Sequence, residues 1–162
     1  MRRRLLLVLV LALVVAPTAT AAFSIAITTA NPINLAAITL NGVDQTKTFT
    51  IAATEVYTNA GSPGWNVTAS STTLTSAGKT LPAMVVTAVA RGNCTGGGCL
   101  NPVNSVAMPV TLSTTAQRIY NAASGSGTGT VVLTGTYQVT YPANALPGTY
   151  SAIVTLATAT GP

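Results

Sequence analysis

Thr130-Val131-Val132-Leu133-Thr134-Gly135-Thr136-Tyr137-Gln138-Val139-Thr140-Tyr141 is the longest alternating run in the chain. Val131, Leu133, Tyr137 and Val139 occupy one parity, and Val132, Thr134, Thr136 and Gln138 the other. Successive side chains of a strand point to opposite faces, so this run reads as a strand between a core and water. The same period recurs upstream in Phe23 to Thr28, Leu35 to Leu40, Lys47 to Ala52 and Trp65 to Ala69. Met84 to Ala90 is more continuously apolar, and Ser105 to Leu112 reads as an edge strand because Pro109 cannot donate to a ladder. Asn41-Gly42 and Gly78-Lys79 mark turns, and Asn59 to Gly64 reads as a loop. Helical periodicity is nearly absent, apart from one plausible turn over Ala116 to Ala123. Val, Ile and Thr enrichment suits pleated, half-buried surfaces. These runs predict an all-β fold, a single antiparallel β-sandwich of about eight short strands.

The N-terminus has a different character. Met1-Arg2-Arg3-Arg4 precedes eleven residues, Leu5 to Val15, without a polar side chain. Pro17 ends that run, and Ala19-Thr20-Ala21 supplies small residues for a peptidase. A basic start, a short apolar stretch and an A-x-A-like site predict a secretory signal peptide over residues 1–21. A membrane span needs ~20 apolar residues, so the run is too short to anchor the chain. The expected mature domain, residues 22–162, has 141 residues, enough for one compact unit.

The seven basic residues of the whole chain fall to four in that domain: Lys47, Lys79, Arg91 and Arg118. Against Asp44 and Glu55 they leave a net charge of +2. No basic cluster or aromatic stripe is available to neutralise phosphates, so nucleic acid is not an expected partner. So few charges leave a surface of hydroxyls, amides and small apolar groups, suited to close contact with sugars or another strand edge. Weak self-repulsion also makes self-association an expectation.

Chemistry is scarce. The chain has no histidine, and its two carboxylates, expected at exposed turns or strand ends, are not brought together by sequence. Ser76-Ala-Gly-Lys79 has S-x-x-K spacing, but Gly78 argues for a polar hairpin instead of the helix a nucleophile–lysine pair requires. Gly125-x-Gly127-x-Gly129 leads into a strand, not a helix, and reads as a flexible loop. Leu146-Pro147-Gly148-Thr149 shares four positions with a sortase signal, yet Tyr150 follows where glycine is required, so Pro147-Gly148 reads as a type II turn. Cys94-Thr-Gly-Gly-Gly-Cys99 predicts a disulfide closing a short loop in an oxidising compartment. Two thiolates without histidine cannot complete a tetrahedral zinc site. No catalytic residues, metal or cofactor are expected, and the chain reads as a non-enzyme.

Trp65-Asn66-Val67 and the terminal Tyr150-Ser-Ala-Ile-Val154-Thr155-Leu156-Ala-Thr158-Ala-Thr-Gly-Pro162 carry one further signal. Their spacing resembles the two-part signature of the WxL domain, a cell-wall-binding module of Gram-positive surface proteins. Tyr150, Val154, Thr155 and Pro162 fall on the distal motif, while Leu156 and Thr158 stand where the family has Trp and Leu. The resemblance implies an Ig-like sandwich that binds peptidoglycan or another wall glycan noncovalently. It assigns Trp65, Val67, Tyr150, Val154, Thr155 and Pro162 to the wall contact or its scaffold, and it places the protein outside the cell at the wall. The alternative expectation is a structural subunit of a surface layer, pilus or coat, joined to itself or other surface proteins through strand edges.

Overall fold

The structure, a computed structural model, describes residues 4–9, 23–29, 32–57 and 63–161. These residues form twelve strands and no helix. The first six are β1 (Arg4–Leu9), β2 (Phe23–Ile27), β3 (Ile33–Thr39), β4 (Gln45–Tyr57), β5 (Trp65–Ser71) and β6 (Thr75–Ser76). The remainder are β7 (Lys79–Thr80), β8 (Val85–Arg91), β9 (Val110–Thr111), β10 (Gln117–Ala122), β11 (Gly129–Tyr141) and β12 (Val154–Thr160). All pairings are antiparallel, so the all-β class holds.

β4 and β11 are the spine. They pair without a register shift from Gly129 against Tyr57 to Tyr141 against Gln45. Around them a five-stranded sheet runs β2-β4-β11-β8-β9. A second, three-stranded sheet runs β10-β5-β12. Phe49, Ile51, Ala53 and Tyr57 of β4, and Val131, Leu133, Tyr137 and Val139 of β11, share one core with Trp65, Val67, Ala69, Val154 and Leu156 of the smaller sheet. The two sheets therefore face each other in a sandwich-like arrangement. At Gly135 the β11 alternation calls for a side chain, but a Cβ would lie 2.8 Å from the Tyr137 ring. Its absence leaves room for that ring to stack on Phe49, centroids 5.3 Å apart.

Several sequence expectations are corrected. Ala116 to Ala123 is not a helical turn but contains β10, whose register slips between Arg118 and Tyr120. The irregularity buries both Ile119 and Tyr120, which breaks the period of two and hides the strand from its pattern. Ser105 to Leu112 shrinks to β9, since Pro109 lacks the N–H that pairing needs. The segment instead follows β10 through Asn121: Ser105 N–H donates to Asn121 Oδ1, and Asn121 N–H donates to Asn104 Oδ1. Gly148 does not adopt the positive φ of a type II turn, and the tight turn forms at Pro142 to Ala145, where Ala145 N–H donates to Pro142 O. The strand at the C-terminal end begins at Val154, not at Tyr150.

The hairpin reading of Ser76 to Lys79 holds. Ala77 and Gly78 both have positive φ, the type I′ geometry, between β6 and β7. Cys94 and Cys99 are disulfide-bonded, with Cα atoms 6.0 Å apart. Of the stretch read as an export leader, Arg4–Leu9 is extended and pairs with β3, Leu7 opposite Leu35. The rest of that stretch, its cleavage positions and most of the Asn59 to Gly64 loop lie outside the described residues.

Candidate functional site

The two motif segments are adjacent strands. β5 pairs with β12 so that Trp65 lies opposite Thr160, Val67 opposite Thr158, and Ser71 opposite Val154. Tyr150 precedes β12, near the bridge between Ser151 and Thr75. Trp65 and Tyr150 thus occupy opposite ends of the smaller sheet, separated by roughly 20 Å of strand.

Neither aromatic faces solvent. Trp65 is 0% exposed; its Nε1–H donates to Gly127 O at 2.8 Å, and its ring stacks on Tyr120 at 5.9 Å. Gly127 has φ +73°, and a Cβ there would meet Trp65 Nε1 at 2.5 Å. The glycine-rich segment is thus a fitted lid on the indole, with a backbone only glycine adopts readily. Tyr150 is 1% exposed and its hydroxyl donates to Leu146 O at 2.8 Å. Val67 and Val154 are also buried, and Thr155 is half-buried. Pro162 lies outside the described residues. A side chain without accessible surface cannot touch a ligand, so the four buried positions belong to the scaffold.

No protein-family model, curated protein or solved structure matches the chain. What the chain can bind is therefore read from its own surfaces. One such surface is the outer face of the larger sheet. On β4 it carries Thr46, Thr48, Thr50, Ala52, Thr54 and Val56; on β11, Thr140, Gln138, Thr136, Thr134, Val132 and Thr130 lie directly opposite in that order. Eight of these twelve side chains are threonine and none is charged. Thr46, Thr48, Thr50 and Val132 are exposed, and the others are half-buried between their neighbours. A pleated sheet repeats such groups every ~6.7 Å along a strand and ~4.8 Å across strands, giving a regular lattice of hydroxyls and methyls.

Sequence reading placed both carboxylates at exposed turns or strand ends; the structure agrees for Asp44 alone. Asp44 is exposed, and its Oδ1 accepts the Ala143 N–H at 2.7 Å. Glu55 is 1% exposed in the core, and neither carboxyl oxygen has a hydrogen-bond partner among the described residues. It lines a cavity of about 10 Å³ with Ile51, Val67, Leu133, Tyr137 and Leu156, roughly the room one water molecule needs. Burial among these apolar groups pushes its pKa up to about 8. The signal was present in the sequence: Glu55 continues the parity of Phe49, Ile51 and Ala53. Asp44 and Glu55 stand eleven positions apart along extended chain, on the order of 35 Å, too far to act as an acid–base pair. Among the described residues no three His, Cys, Asp or Glu side chains group together, and no helix is long and apolar enough to cross a membrane.

Proposed function

We propose that this protein is an exported, non-enzymatic surface protein whose Ig-like sandwich binds the bacterial cell wall noncovalently, as a divergent WxL-like module. The observation that carries the reading is the uncharged threonine lattice on the outer face of β4 and β11. A periodic face of neutral donors and acceptors suits a polymer that itself repeats and presents hydroxyls, such as the glycan of peptidoglycan. Two details support the family side of the reading. The motif segments lie side by side as β5 and β12. The Tyr150 hydroxyl bond to the backbone four residues upstream resembles the tyrosine corner of Ig-type sandwiches.

The test is retention on purified peptidoglycan. Thr134→Lys with Thr136→Lys places two charges in the middle of the lattice without touching the core. Retention is expected to fall at least tenfold while circular dichroism stays unchanged. Unaltered retention of the folded double variant would sink the proposal.

A second reading, a subunit of a surface layer, pilus or coat, is favoured by the β12 edge. Thr72 N–H donates to Ile153 O, and Gly161 N–H donates to Gly64 O, with an unbroken register between them. Odd-numbered residues of β12 therefore bond to β5, and the backbone groups of Thr158 and Thr160 point away from it. Val154–Thr160 holds no charge, proline or bulge of the kind that protects an edge. Ordered polymers in electron micrographs of the secreted protein would favour this reading over wall binding by a single copy.

A further inference from the structure

Asn41-Gly42, in the turn that joins β3 to β4, is the one place in the sequence where an asparagine precedes a glycine. That order matters chemically. The backbone nitrogen after an asparagine can attack the side-chain amide carbon and close a five-membered ring, and glycine, lacking Cβ, obstructs the approach least. Asn41, Gly42, Val43 and Asp44 are all exposed, and nothing lies within 4 Å of where a Gly42 Cβ would stand. The Gly42 N–H has no hydrogen-bond partner among the described residues.

The Asn41 side chain, by contrast, is held. Its Oδ1 accepts the Val43 N–H at 3.3 Å and a Gln45 Nε2–H at 3.0 Å. The same Nε2 donates to Thr39 O at 3.0 Å, so the donor is braced between the end of β3 and the start of β4. When a nitrogen adds to Cγ, Oδ1 gains negative charge. Donors already aimed at that oxygen stabilise the charge without reorganising.

Asn104-Ser105 offers a comparison within the molecule. Asn104 is exposed, and its Oδ1 also accepts two N–H groups, from Val106 and Asn121. There the following nitrogen is engaged: Ser105 N–H donates to Asn121 Oδ1 at 2.7 Å. Both amide carbons are prepared for attack, but only Gly42 presents an open nitrogen.

We propose that Asn41 is a self-modification site, at which the Gly42 nitrogen closes on Cγ while Val43 N–H and Gln45 Nε2 hold Oδ1. The nitrogen gives its proton to water or hydroxide and bonds to Cγ; the Cγ–Nδ2 bond breaks and ammonia leaves. Water then opens the resulting succinimide at either carbonyl, giving aspartate or isoaspartate. No oxidant or reductant takes part. Each conversion adds a carboxylate to the turn that already holds Asp44, and lowers the net charge of residues 22–162 from +2 to +1. The isoaspartyl product also lengthens the main chain by one carbon. That change falls beside the Asp44 Oδ1 bond to Ala143 N–H, which ties this turn to the one after β11. The site is independent of the wall-binding reading.

Peptide mapping by mass spectrometry, after the intact protein has stood for weeks at 37 °C and pH 7.4, tests this. Aspartate and isoaspartate are both expected at position 41, with Asn104 unchanged over the same period. Gln45→Met, which keeps the side chain's length and loses the donor, should slow the conversion about three- to tenfold. Asn41→Asp supplies the chromatographic standard for the aspartyl product. Three outcomes would each overturn the proposal. One is an unconverted Asn41 in the protein while a peptide of the same sequence converts. Another is aspartate without isoaspartate, which means direct hydrolysis with no ring. The third is undiminished conversion in folded Gln45→Met.

Discussion

At the residue scale the molecule's properties concentrate in Glu55 and Trp65. Glu55 places a carboxyl in the core with a pKa raised from about 4.5 to about 8. Below pH ~4.5 the folded and unfolded states both hold the proton, and the group is neutral on either side. Between pH ~4.5 and ~8 only the unfolded chain ionises, so stability falls as pH rises, by about 1.4 kcal/mol per unit. The full loss is on the order of 5 kcal/mol, comparable with the whole stability of a small domain. Urea unfolding across this window should show the decline in the wild type and a much flatter profile for Glu55→Gln. Parallel profiles would mean the carboxyl is not neutral in the folded state. Trp65→Ala removes the largest fully buried side chain and its bond to Gly127. It should cost about 3–5 kcal/mol, seen as a lowered urea midpoint. Any loss of binding in that variant reports lost structure, not a lost contact.

At the scale of elements, legibility followed local pattern. β4 and β11 could be read because their apolar parity survives over many residues. β10 could not, since its slip at Arg118 to Tyr120 is a tertiary adjustment that buries two neighbours in succession. The short β6 and β9 carry too few residues to show any period. The candidate site was legible only as positions: spacing picked out Trp65 and Tyr150, but it could not tell a buried aromatic from a presented one. The threonine face stood in the sequence as one parity of Thr130 to Tyr141. Its continuation across Thr46, Thr48 and Thr50 required the pairing of strands distant in sequence. The Cys94–Cys99 loop is a small element with a small effect. Its closure should contribute roughly 2 kcal/mol in the chain-entropy account. Replacing both cysteines with serine should lower the unfolding midpoint modestly and change wall retention little, because the loop meets the threonine face only at its end, where Thr95 and Thr130 exchange backbone hydrogen bonds.

At the scale of the whole molecule, the scarcity of charge decides how binding responds to its surroundings. A neutral face gains little from long-range attraction and loses little to screening. Retention on peptidoglycan should therefore change less than about twofold between 50 mM and 500 mM salt. A steep loss would point to contact through Lys47, Arg91 or Arg118 instead of the threonine lattice.

The unbroken pairing of β4 with β11 also sets the order of events as the protein forms. Its closest partners, Tyr57 and Gly129, are 72 positions apart, and its most distant, Gln45 and Tyr141, are 96 apart. Every rung of the spine closes a long loop, an arrangement that places folding in the millisecond-to-second range. No part of the larger sheet's centre can assemble before the chain is made past Gly129. Until then only pairs such as β2 with β4, β6 with β7 and β5 with β10 can form, and β4 waits with one side unpartnered while more than seventy further residues are made.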